Sequence, residues 1–335
     1  MKLLRKILFP IVPIYYIVTW LRNKLYDLGW KSSYTYELPI ICVGNLSVGG
    51  TGKTPTIEYL IRLLKDNYKV ATLSRGYKRE SSGFIIANEA ASAKTIGDEP
   101  FQFYKKFENV VISVDANRRH GITKLIAKEQ PDVILLDDAY QHRKVKAGYS
   151  ILLTAYNNLY CDDIVLPTGN LREPKSGAKR ADAIIVTKCP LSITSSEKEL
   201  ILKKIKALPR QHVYFSSIKY AKYIYNEGEA FLLNSLKEKQ VTLVTGIANP
   251  TPLLDYLKSN ALEFEHLNFK DHHVFSLSEI KALKQKAFIL TTEKDYMRLY
   301  PYFEGEKHLF YLPIEFVIDS PKRFENTIRN FISSA

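Results

Sequence analysis

Gly52-Lys53-Thr54, at the end of a glycine-rich run, is the first place where residue types and spacing suggest chemistry. The stretch from Pro39 to Pro55 reads PIICVGNLSVGGTGKTP. Ile40 to Val43 has the length and composition of a buried strand, and the apolar residues after Thr56 recur at helical spacing. Strand, glycine loop and helix with Lys-Thr at the junction form a P-loop, whose backbone N–H groups converge on phosphate oxygens. Ser47, Val48, Gly49, Gly50, Thr51, Gly52, Lys53 and Thr54 are therefore the expected nucleotide cradle. Lys53 supplies a point charge near the transferred phosphoryl group, and the Thr54 hydroxyl is within reach of Mg²⁺. The full pattern asks for Gly at position 47, where this chain has Ser, but Gly49, Gly50 and Gly52 still permit close backbone approach.

Pro131-Asp-Val-Ile-Leu-Leu-Asp137-Asp138 is the second strong signal. A hydrophobic strand ending in acid downstream of a P-loop is the Walker-B arrangement, with a carboxylate on Mg²⁺ beside Thr54. Adjacent strand residues point to opposite sides, so one aspartate is expected on the metal and the other in a second role. Gln141 and His142 follow at the same sheet end, and Asn170 and Arg172 lie in a Pro/Gly-containing loop, all positioned to line the site. Arg75-Gly-Tyr-Lys-Arg79 closes a further strand, where Arg75 and Arg79 suit an anion. Asp98 fits a helix N-cap, with Glu99 and Pro100 in the first turn, and the local pattern favours that reading; a general base at the loop–helix junction is the alternative. For Asp271-His272-His273 the residues leave open a metal ligand pair, a structural loop and a polar catalytic role.

These groups need a scaffold. Strands alternate with helices through the run from Ala183 to Pro190, and a second alternating section follows from about Ser192. The expected fold is α/β, a P-loop NTPase-type mostly parallel sheet flanked by helices, with a smaller α/β section. The expected units are 1–31, 32–190 and 191–335. Residues 1–31 hold six bases (Lys2, Arg5, Lys6, Arg22, Lys24 and Lys31) against one acid, Asp27. Ile7, Ile11, Ile14, Val18, Leu21, Leu25 and Leu28 step by four and three, an amphipathic pattern suited to a membrane interface or to the protein's own core. The uncharged run from Ile7 to Leu21 is only 15 residues, short of a membrane span. Trp20 and Trp30 favour the interface.

Composition narrows the classes. The 335 residues carry a formal net charge of +13, which suits nucleic acid, an anionic membrane or phosphorylated substrates. The bases are spread along the chain rather than gathered in one aromatic-rich patch, so nucleic acid is not expected. Cys42, Cys161 and Cys189 are too sparse for a disulfide framework and suit a reducing compartment. Thr187-Lys-Cys-Pro190 stands where a GTPase would be expected to carry Asn-Lys-x-Asp, which argues against guanine selection.

Taken together, the motifs resemble the tetraacyldisaccharide 4′-kinase family, the lipid A 4′-kinases of Gram-negative bacteria. The likeness runs in order from Val43 to Asp295: the P-loop, Ser74-Arg-Gly-Tyr-Lys-Arg79, Gly97-Asp-Glu-Pro100, Asp137-Asp-Ala-Tyr-Gln-His-Arg143, Leu166 to Pro174, Gly246-Ile-Ala-Asn-Pro250, Asp271-His-His273 and Thr292-Glu-Lys-Asp295. Ser47 is what this family's loop carries. The resemblance implies transfer of the ATP γ-phosphate to the 4′-hydroxyl of a tetraacyldisaccharide 1-phosphate, giving lipid IVA, with Mg²⁺, on the cytoplasmic face of the inner membrane. It makes Asp98 the base, His272 its support and Asp137 with Asp138 the metal pair. Arg75, Arg79, Arg118, Gln141, His142, Asn170 and Arg172 are expected on the substrate side. Two positions depart from the family: Ala139 stands where it usually has Gly, and Lys78 where it often does. The rival from another class is a membrane-associated P-loop NTPase switch with no small-molecule acceptor, distinguished by ATP use that needs no lipid.

Overall fold

Apolar runs without alternation make strands that are buried on both faces, which is the condition of a parallel sheet covered by helices. The computed structural model describes residue 5 and residues 7–227 and 229–334; the expected bases Lys2 and Lys6 lie outside them. The strands in chain order are β1 (Ile40–Asn45), β2 (Val70–Ser74), β3 (Ile85–Ile86), β4 (Val111–Val114), β5 (Val133–Asp137), β6 (Tyr149–Ala155), β7 (Ala183–Cys189) and β8 (His212–Tyr220). They continue with β9 (Tyr223–Asn226), β10 (Glu229–Leu232), β11 (Val241–Thr245), β12 (Phe264–Asn268), β13 (Phe288–Thr292), β14 (Leu309–Leu312) and β15 (Ile314–Ile318). The large sheet runs β15-β8-β7-β6-β1-β5-β2-β4-β3, and the smaller one β10-β9-β14-β13-β11-β12. Pairing in the large sheet is parallel except at its edges, where β15 lies antiparallel to β8 and β3 to β4.

Side-chain alternation along β1 divides the core. Ile40 and Cys42 join one face, and Ile41 and Val43 join the other, under the helix Lys53–Leu64. That helix buries Ile57, Leu60, Ile61 and Leu64, the i, i+3, i+4, i+7 stripe. Strand order reverses around β1, with β5 and β2 on one side and β6 and β7 on the other, so the loop after β1 opens at a topological switch point.

The expected break at residue 190 falls inside the large sheet. Strand β8 pairs with β7, and the chain returns at β15 after making the smaller sheet. The final helix, Pro321–Ser333, then packs Phe324, Ile328 and Ile332 against the P-loop helix. A strand's sequence period is the same whichever sheet it joins, so this return was not visible in the pattern. A third apolar cluster joins the two sheets' layers, with Ile96, Phe101 and Val114 packed against Phe275, Ile280 and Met297.

The amphipathic stripe near the N-terminus is a helix, Val12–Asp27. Its polar side docks on the body: Tyr15 donates to Arg172 O at 3.0 Å, Arg22 donates to Gln141 O at 2.8 Å, and Asn23 is buried against Glu173. Its apolar side is exposed, with Ile14 at 64% and Val18 at 60%, and Ile7 ahead of it is exposed too. No helix among the described residues is long and apolar enough to cross a membrane.

Candidate active site

The P-loop helix starts with Gly52 as its cap, in the left-handed region (φ +85°), and no side chain bonds its first amides. Those amides and the helix dipole are left for an anion. Gly49 (φ +108°) makes the other turn that an L side chain would strain. Neighbouring strands hold the loop's carbonyls: Thr187 Oγ1 donates to Thr51 O at 2.7 Å, and Lys188 Nζ to Gly50 O at 2.6 Å. The Leu166–Pro174 loop laces on from the other side, with Val48 N donating to Asn170 O at 2.8 Å.

The aspartate pair sits beside this cradle. Asp138, just past the strand end, takes a left-handed turn (φ +47°) that aims its carboxylate at Arg172 (2.8 Å) and Lys53 (3.8 Å). Burial alone would raise its pKa, but those cations outweigh it and hold the group low. Asp137 is opposite in character. Burial first, and then the Asp138 charge, push its carboxyl up to about 6, although Lys53 and Arg118 pull the other way. Thr54, Asp137 and Asp138 offer hydroxyl and carboxylate oxygens, the donor set of a hard divalent cation, and a cation beside Asp137 would relieve that repulsion. Ala139 is accommodated: it is buried in the core, and the left-handed residue of this turn is its neighbour Asp138.

Asp98 is the first residue of the helix Asp98–Lys106, with Gly97 as the cap. It therefore does not cap; its carboxylate points into a cluster supplied by the smaller sheet. His272 Nδ1 lies 2.8 Å from Asp98 Oδ2, and Arg298 Nε donates to the same oxygen at 3.1 Å. Lys294 Nζ is 2.9 Å from His272 Nε2. An ammonium can only donate, so Nε2 accepts and the Nδ1 proton faces Asp98. Burial would raise the Asp98 pKa, but the His272 and Arg298 hydrogen bonds override it and hold the carboxyl well below its usual range. Arg298 is itself held by Asp295, which is fully buried and accepts from Gly246 N at 2.9 Å and Thr292 Oγ1 at 2.8 Å. The motifs at Gly246 and Thr292–Asp295 thus serve to aim one guanidinium. Gly97 (φ +94°) packs on the Arg75–Tyr77 turn, where an added Cβ would lie 3.2 Å from Tyr77 O. Tyr77 meets the His272 ring edge-on at 5.7 Å.

The remaining expected residues divide. Arg75 is exposed and makes no hydrogen bond or ion pair among the described residues, and Arg79 donates to Gly83 O at 2.6 Å. His142 is half-buried with an unpartnered Nε2; burial, with cationic neighbours, lowers its pKa to about 4, leaving a neutral ring at pH 7. Arg118, by contrast, is buried, and its guanidinium holds Asp115 O (2.7 Å) and Asp137 O (2.9 Å), bracing the Walker-B turn. Gln141 donates to Asn45 O and Glu173, while Asn170 accepts from Arg5 and donates to Asp163. Arg172 holds Asn45 O as well as Asp138. These four engage the protein itself. The adjacent histidines do not converge, because His273 turns to Glu279 at 3.1 Å and stacks on Phe269. Lys78, at φ +59°, occupies a position where Gly would be unstrained. Sequence reading assigned no role to Lys294 or Arg298; the helical spacing of Asp295 and Arg298 was the available signal.

The chain is similar to known proteins along nearly its whole length. A profile of the tetraacyldisaccharide-1-P 4′-kinase family matches residues 4–333. A Flavobacterium johnsoniae protein named tetraacyldisaccharide 4′-kinase is 50% identical over 337 residues, covering 99% of this chain and 98% of its own. One of the same name from Bacteroides thetaiotaomicron is 45% identical, covering 94% and 89%. The solved structure of LpxK from Aquifex aeolicus in complex with ATP superposes with a TM-score of 0.80 at 30% identity, over 98% of this chain and 99% of that one. This chain therefore belongs to the tetraacyldisaccharide-1-P 4′-kinase family.

Proposed function

We propose that the chain transfers the γ-phosphate of ATP to the 4′-hydroxyl of a tetraacyldisaccharide 1-phosphate, the step that forms lipid IVA in lipopolysaccharide biosynthesis. In a chain whose P-loop presents Lys53 beside Asp138, the observation that carries this reading is the Asp98 carboxylate held by His272 and Arg298. Such a carboxylate is charged at every physiological pH. It is too weak a base to remove an alcohol proton early, but a loose transition state asks for orientation first and proton acceptance late. Asp98 orients the hydroxyl and takes its proton, and His272, fixed by Lys294, keeps the receiving oxygen aimed. Lys53 and the free amides of the P-loop neutralise charge on the transferred group. Thr54, Asp137 and Asp138 would hold Mg²⁺, which would supply positive charge beside the phosphates of ATP. Arg75, exposed and without a hydrogen bond among the described residues, is left for the disaccharide phosphate, with Arg79 and His142 as the other proposed contacts.

The N-terminal helix is the proposed contact with the cytoplasmic face of the inner membrane. Its polar side is occupied by the protein, so the exposed Ile14, Ile17, Val18 and Leu21 have no partner among the described residues. Supplying γ-labelled ATP and a membrane lipid extract tests the activity: label should enter an anionic glycolipid, and Lys53→Ala should slow this by about 10²–10³-fold. ATP hydrolysis that proceeds equally without lipid would favour the switch instead. For the membrane contact, Ile14→Asp with Val18→Asp should weaken sedimentation with anionic phospholipid vesicles; unchanged binding would exclude the helix as anchor.

A further inference from the structure

Away from the reacting groups, three helices meet at a buried cluster of charge. Glu58, on the P-loop helix Lys53–Leu64, is 3% exposed. Glu293 opens the helix Glu293–Phe303 of the smaller layer and is 6% exposed. Lys106, the last residue of the Asp98–Lys106 helix, pairs with both, at 2.7 Å to Glu58 and in close contact with Glu293. Gln102, one turn earlier on Lys106's helix, donates to Glu58 at 2.8 Å. Arg62 reaches Glu58 at 3.1 Å from a half-exposed position, and Glu293 Oε2 is buried with no partner.

Each of these helices carries a site group. The first begins with Lys53, the second with Asp98, and the third bears Lys294 and Arg298. The Asp98 and Arg298 helices pack directly on each other. Buried ion pairs add little net stability over an apolar replacement, but they specify one arrangement of the elements they join. We propose that Lys106 is a positioning residue: clamped between Glu58 and Glu293, it sets the seating of the smaller layer on the larger one and so the approach of His272, Lys294 and Arg298 to Asp98. The proposal rests on the reading of Asp98 as the base.

Kinetics of the full-length enzyme with ATP and tetraacyldisaccharide 1-phosphate test it. Lys106→Met should lower kcat about 10- to 100-fold, the effect of an ångström-scale misplacement, with KM for ATP nearly unchanged, and Lys106→Arg should recover most of the rate. Glu293→Gln removes the charge across the layers while leaving the Lys106–Glu58 pair, so it reads the same effect if Lys106→Met does not fold. In an Asp98→Ala background, Lys106→Met should lower the rate no further. Wild-type kcat in both Lys106→Met and Glu293→Gln, with Asp98→Ala impaired, overturns the clamp alone. The same fold loss with and without Asp98 also overturns it, because the lysine would then act elsewhere. Full activity of Asp98→Ala overturns the base assignment, and the clamp with it.

Discussion

Asp98 and Asp137 are the same residue type and both are partly buried, yet their charges are handled in opposite ways. Asp98 meets His272 and Arg298, which hold its pKa low, while burial first and then the charges of Asp138 and Glu99 push Asp137 up to about 6 against Lys53 and Arg118. The first carboxylate is completed by side chains of the smaller layer. The second is incomplete within the chain, and its repulsion is what a divalent cation would cancel. Burial acts the same way on both; the neighbours decide the sign. On the proposed roles, the fold itself pairs the Asp98 carboxylate, whereas the charge of Asp137 would be balanced by a bound cation.

Four experiments break or sharpen that contrast. The largest effect is expected at Asp98→Ala, a fall in kcat of about 10²–10⁴-fold, as for loss of a positioned base, with ATP affinity retained in a direct binding assay. Lost ATP binding with intact single-turnover transfer would move Asp98 to the nucleotide side. Lys53→Ala should lower kcat/KM by about 10²–10³-fold, as for removal of one preorganised charge stabiliser, and should weaken nucleotide binding as well. Next comes Lys294→Met, which leaves His272 without its Nε2 donor and should lower kcat by about 10-fold through misorientation; a rate equal to wild type would show that His272 needs no such brace.

The smallest effect is on stability. Asp137 binds its proton more tightly folded than unfolded, so without metal its contribution falls as pH rises from about 4, the unfolded value, through about 6. Asp137→Asn should then raise the metal-free melting temperature at pH 7 by roughly 2–4 °C, with the gain vanishing near pH 4. Mg²⁺ should stabilise the parent more than the variant. Asp98 has the opposite sign: its depressed pKa stabilises the fold above the unfolded value, and this is lost on acidification, so Asp98→Asn should lower the pH 7 melting temperature. Shifts of the same sign in both variants would remove the contrast.

Residues close in sequence were legible. The β1–loop–helix unit around Lys53 and the strand ending at Asp137 follow from apolar runs and turn residues, because strand, loop and helix N-terminus are local conformations with local signatures. The amphipathic Val12–Asp27 helix is legible for the same reason. Long-range choices were not. That Arg118 and Gln141 hold backbone carbonyls, that β8 and β15 return to the large sheet, and that Arg298 crosses 200 positions to reach Asp98 depend on which elements pack together.

By itself, then, the sequence determined a P-loop α/β enzyme with a paired aspartate, a separate carboxylate and an amphipathic helix. Only the tertiary structure decided the state of each charge. A side chain's type sets its reach and its proton affinity in water, whereas its ionisation and aim in the fold come from burial and from partners far along the chain. Asp98 and Asp137 read alike as letters, and they differ because Arg298 and His272 fold back onto one and not the other.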